Sequence, residues 1–144
     1  MNLWMLRRLK KLGASPQILI DIYNKHIRSI LEYAVPVWGS LLTSENCDDI
    51  ERVQKCAYTI IFGHSSYRKL LLKSKNVTLS ERRTLLFQKF AVQSASSQNF
   101  STWFKKRQQV VNTRNPNTYV EVSARCERWM ASPIPMMTTH LNSL

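Results

Sequence analysis

Apolar positions recur at helical spacing through about the first hundred residues. Over 16–35, Leu19, Ile20, Tyr23, Ile27, Ile30, Leu31 and Ala34 share one sector when each residue turns the chain by about 100°. Asp21, Asn24, Lys25, Arg28, Ser29 and Glu32 fill the opposite side. The pattern predicts an amphipathic helix with Ser15 as N-cap, Pro16 at its first position and a stop at Pro36. An earlier helix over 2–12 carries Leu3, Leu6, Leu9 and Leu12 in line and ends at Gly13. Its Arg7, Arg8, Lys10 and Lys11 form a basic strip outside that line.

Thr43 or Ser44 caps a third helix over about 44–62, closed by Gly63, with Ile50, Val53, Ala57, Ile60 and Ile61 as its apolar stripe. Acids crowd its first turns, and Asp48–Arg52 and Glu51–Lys55 have the spacing of helical ion pairs. The short link from Pro36 to Leu42 makes this helix the antiparallel neighbour of the one before it. Residues 66–73 predict a short helix, and the Thr78/Glu81 capping box opens another, to about Ser97, with Leu86, Phe87, Phe90, Ser94 and Ala95 inward. Phe100, Trp103 and Phe104 read as an aromatic plug. Beyond Gln108 no period persists: Tyr119–Val122 suits one short extended segment, Ser132–Pro135 a rigid extended link, and Met136–Leu141 a last helical turn or two. The expected fold is all-α: a helical domain over 1–107 built on the 16–35/44–62 hairpin, then an irregular tail over 108–144.

Composition adds a core-forming apolar share of 44% and a net charge of +12 over 144 residues. That charge is uneven. Residues 13–63 hold four basic and six acidic side chains, whereas 64–128 hold thirteen basic and three acidic. Such asymmetry points to a polyanion, nucleic acid first. Three widely spaced cysteines suit a reduced, intracellular protein, in nucleus or cytoplasm, rather than a secreted disulfide framework. No apolar run is long enough to span a membrane, and no membrane partner is expected.

Catalytic chemistry is not found. Asp48-Asp49 opens a helix among other acids, where the dipole accounts for it without a metal pair. His26, His64 and His140 have no ligand at metal-binding spacing, and His26 reads as a packing histidine at the edge of its apolar sector. Three scattered glycines make no phosphate loop, so no cofactor, metal or small-molecule substrate is expected. What remains is a basic set beside Tyr67, Trp103 and Phe104: Arg68, Lys69, Lys73, Lys75, Arg82, Arg83, Lys89, Lys105, Lys106 and Arg107. Cations on helix faces contact phosphates without reading bases, and exposed rings stack on single strands.

Several blocks also carry a resemblance. Residues 27–38 (IRSILEYAVPVW), followed by 49–55 (DIERVQK) and 60–63 (IIFG), resemble the C-terminal part of reverse transcriptases of non-LTR (LINE, jockey-like) retrotransposons. The likeness continues through 79–83 (LSERR), 89–91 (KFA), 115–120 (NPNTYV) and 132–135 (SPIP), covering essentially the whole chain. Cys56, Tyr58 and Thr59 stand where such elements often carry arginines and a leucine. The resemblance implies a thumb-like, non-catalytic piece that helps hold RNA or RNA–DNA template-primer near a palm domain encoded upstream. The palm's catalytic aspartates are absent from this sequence. The alternatives are a helical protein-interaction module, docking on a palm domain or a host partner, and a pseudogene product with no activity.

Overall fold

The computed structural model describes residues 3–107, 118–121, 123 and 125–144. Every regular element among them is helical. The all-α class follows directly from the 3.6-residue apolar period. By its contacts the chain groups into two compact units, Met1–Tyr33 with Thr43–Arg82 and Ala34–Leu42 with Arg83–Leu144, where the sequence reading drew its boundary at 107.

The first unit begins with α1 (Leu3–Lys11). Gly13 ends it at φ +85°, and the Ala14 and Gly13 amides donate to the Leu9 and Lys10 carbonyls, the paired closure that a left-handed residue allows. Helix α2 (Pro16–Ile22) starts as expected, with Ser15 Oγ accepting from the Ile18 amide. The apolar stripe then departs from the expected one. Tyr23–Arg28 winds as a π-helix before α3 (Ser29–Leu31) resumes the α pitch. Leu19, Ile20, Tyr23 and Ile27 are buried as expected, but the wider turn rotates the residues after it, and Ile30 is 66% exposed. His26 lies exposed on this turn and is not a packing residue.

Helix α5 (Ser44–Phe62) has the predicted limits, with Thr43 Oγ1 accepting from the Asn46 amide and Gly63 following at φ +87°. It packs on α2, and also on α1 and on α6 (Tyr67–Ser74), so the core joins four elements rather than resting on one hairpin. Leu6, Leu19, Tyr23, Ala57, Tyr58, Ile61 and Leu70 meet there. Tyr23 and Tyr58 cross edge to face at 5.1 Å.

Beside those rings runs a buried hydrogen-bond chain. Tyr23 Oη donates to Gln54 Oε1 at 2.8 Å, and Gln54 Nε2 donates to Tyr67 Oη at 2.9 Å and to the Val77 carbonyl at 3.0 Å. Tyr67 Oη in turn donates to Glu51, whose carboxylate also accepts the Leu79 amide at 3.1 Å. Glu51 therefore points inward rather than pairing with Lys55, and Arg52 bonds Asp49 at 2.7 Å rather than Asp48. Burial holds the Tyr23 and Tyr67 hydroxyls protonated far above the ordinary tyrosine range.

The second unit opens where proline was expected to end helical structure. Ala34 takes a left-handed conformation (φ 52°), and Val35–Trp38 then forms a short helix, α4. Pro36 sits in its first turn, where a missing amide hydrogen leaves nothing unpaired. Helix α7 (Leu79–Ser96) crosses from one unit to the other between Arg82 and Arg83. Its capping box is reciprocal: the Glu81 amide donates to Thr78 Oγ1 at 3.2 Å, and the Thr78 amide to Glu81 Oε2 at 3.1 Å.

Ala91, Phe104 and Met137 centre the second core, with Phe87, Phe90, Ala95, Tyr119 and Leu141 packed around them. Phe104 plugs that core as expected, while Trp103 leans on Phe100 at 4.7 Å and stays 44% exposed. The C-terminal stretch is more helical than its sequence suggested. After α8 (Glu127–Met130), Ser132 occupies the position before α9 (Pro133–Asn142), so SPIP is a helix start rather than an extended link. Both prolines fall within the first turn, whose amides need no carbonyl partner. Asn142 holds Tyr119 by its backbone in both directions, at 2.9 and 3.2 Å. Of the expected extended segment, Tyr119 bridges Lys106, and Val122 lies outside the described residues.

Candidate nucleic-acid interface

Arg68, Lys69, Lys73, Lys75 and Arg82 belong to the first unit, and Arg83, Lys89, Lys105, Lys106 and Arg107 to the second. On α6, Leu70 turns into the core while Arg68, Lys69 and Lys73 stay exposed, the last two one turn apart on a shared face. Lys75 follows in a left-handed conformation (φ 54°), with its amide and that of Asn76 donating to the Leu72 and Leu71 carbonyls. None of these four cations has an acidic partner among the described residues.

Lys89 is exposed on α7. Lys105–Arg107 run extended: the Val120 amide donates to the Lys105 carbonyl at 2.8 Å and the Arg107 amide to that of Thr118 at 3.1 Å. Alternation along an extended segment sends Lys105 and Arg107 to one side and Lys106 to the other.

Two expected contacts are corrected. Arg82 Nε and Nη2 grip both oxygens of Glu32, at 3.0 and 3.1 Å, which raises the guanidinium's pKa and occupies one of its donor edges. Arg83 is 8% exposed, and its Nη1 has no hydrogen-bond partner among the described residues. Charge alone groups Arg82 and Arg83 with the outward cations, and charge does not register which side of α7 is buried. Tyr67, expected beside the cations as a ring for stacking, is tied into the Glu51–Gln54 network.

One basic feature lies outside the expected set. Helices α1 and α5 of the first unit flank an open groove of about 1000 Å³, lined by Arg7, Lys10 and Lys11 on one side and Arg52, Lys55 and Cys56 on the other. No acidic residue lines it. The sequence shows each half as a helix with basic positions, but α1 and α5 are some forty residues apart and only packing joins them.

Among the described residues, no three His, Cys, Asp or Glu side chains are grouped to hold a metal, and no helix is long and apolar enough to cross a membrane. No protein-family model matches the chain, and neither a curated protein nor a solved structure matches it.

Proposed function

We propose that this chain is a non-catalytic, thumb-like piece of a non-LTR retrotransposon reverse transcriptase, binding RNA or RNA–DNA template-primer through basic helix faces. The observation that carries the reading is α6, which turns one side to the core and leaves Arg68, Lys69 and Lys73 outward without acidic partners among the described residues. Lys75, Lys89 and Lys105–Arg107 add exposed positive charge. Unpaired cations of this kind bind phosphates without sequence preference, at about 10⁻⁴–10⁻⁶ M near physiological salt. Titration of a labelled RNA and a labelled RNA–DNA hybrid between about 50 and 200 mM salt tests it. Log affinity is expected to fall linearly with log salt, by about 0.7–0.9 per phosphate contacted. Binding that ignores salt overturns the reading.

The docking-module alternative draws on Ile18, Ile30 and Tyr33, which leave exposed apolar surface along 16–33. Salt-insensitive capture of a separately produced palm domain, lost on Ile30→Asp, would favour it.

A further inference from the structure

The groove between α1 and α5 has the chemistry of a strand track. Arg7, Lys11 and Lys55 are exposed on its walls and have no acidic partner among the described residues. Two other cations there are engaged. Lys10 Nζ donates to the Ile60 carbonyl at 2.5 Å, and Arg52 pairs with Asp49. The Lys10 bond does more than fasten α1 to α5. It places an ammonium on a carbonyl in the last turn of α5, where the helix dipole would otherwise repel an anion.

We propose that this groove carries the phosphodiester backbone of a single-stranded nucleic acid, with Arg7, Lys11 and Lys55 contacting phosphates. The proposal rests on the nucleic-acid reading above and adds a location that excludes Arg82 and Arg83. Three features favour a strand over other anions. The lining has five basic side chains and no acid, so repulsion opposes nothing that is uniformly anionic along its length. Trp4, 70% exposed, lies two turns before Lys11 on the same face of α1, with the Arg8 guanidinium 6.0 Å from its ring. An exposed indole beside cations is the platform on which bases stack. A lipid surface is the poorer fit, because the apolar side of α1 that would insert is already committed to the core: Leu6 is fully buried, and Leu3 and Leu9 pack on the same cluster.

Cys56 supplies a reporter that needs no substitution. It is an exposed free thiol lining the groove, and exposed Cys126, in the other unit, is its reference. The experiment titrates the whole chain with a labelled twelve-nucleotide RNA at low salt, while iodoacetamide labelling of each thiol is followed by mass spectrometry. Saturating RNA is expected to slow Cys56 alkylation at least fivefold and leave Cys126 unchanged. The triple variant Arg7→Glu/Lys11→Glu/Lys55→Glu is expected to bind more than tenfold more weakly, and neutral Arg7→Gln/Lys11→Gln to lower the salt slope by about 2. RNA that binds without shielding Cys56 overturns the groove and leaves the proposed function standing. Absence of any RNA binding overturns both. A polyglutamate peptide of equal length that shields Cys56 as well as RNA does would mark the groove as an acidic-protein site, and the strand track would be wrong.

Discussion

Arg7-Arg8 and Arg82-Arg83 are both adjacent arginine pairs on helices, and they meet opposite fates. On α1 both side chains are exposed, one beside the groove and one over Trp4. On α7 one is clamped by Glu32 and the other is buried. The difference lies in what each helix packs against. Helix α1 leans on the core through Leu3, Leu6 and Leu9, leaving the intervening positions to solvent. On α7, Arg82 meets the Glu32 carboxylate and Arg83 lies near Gly39, so positions that would face water on a one-sided helix are engaged or enclosed. A cation in a sequence is therefore a candidate for recognition or for architecture, and burial decides between them.

Substitutions can break this distinction. The largest effect is expected from Arg83→Glu, which puts a carboxylate where a guanidinium is enclosed and leaves it without compensation. A loss on the order of 3–5 kcal/mol is expected, read from the urea midpoint. A near-neutral result would mean that Arg83 is not enclosed. Arg82→Ala comes next. It removes a two-pronged bond to a mostly buried carboxylate and is expected to lower stability by about 1–2 kcal/mol, with RNA affinity little changed once folding is accounted for. Should affinity fall severalfold with stability intact, Arg82 would belong with the outward cations after all.

The smallest effect sharpens the comparison from the other side. Lys75 holds a left-handed conformation that costs a side-chain-bearing residue about 1 kcal/mol relative to glycine. Lys75→Gly is expected to raise the thermal midpoint by a few degrees and to weaken RNA binding slightly. A gain in stability with no change in binding would remove Lys75 from the candidate interface.

Much of the fold was legible because its signals are local. Ser15 with Pro16, Thr43, the Thr78/Glu81 box and Gly63 each act within four residues, and each does what its chemistry predicts. What the sequence hid depends on partners far along the chain. Glu51 has an obvious neighbour in Lys55, yet the Leu79 amide and Tyr67 hydroxyl offer a less hydrated site, and the carboxylate goes there. The π-helix at Tyr23–Arg28 leaves no mark on an apolar pattern that fits an ordinary helix almost as well. The prolines of SPIP read as extended because proline breaks helix interiors, whereas here they occupy a first turn. The candidate interface divides the same way. Exposure of Arg68, Lys69, Lys73, Lys89 and Lys105–Arg107 followed from charge density, while the sealing of Arg83 and the joining of α1 to α5 required the packed molecule.

The wide turn at Tyr23–Arg28 also sets how the chain tolerates length change. A π segment holds one residue more than an α-helix needs over the same rise, so deleting Lys25 would let the helix relax to regular pitch without breaking. Everything downstream would then keep its place around the axis, because the extra residue was already absorbed within the wide turn. Straightening the turn with every residue kept would instead swing Glu32 off Arg82 and turn Ile30 inward by about 100°, so the wide turn works as a phasing shim that keeps Glu32 on Arg82.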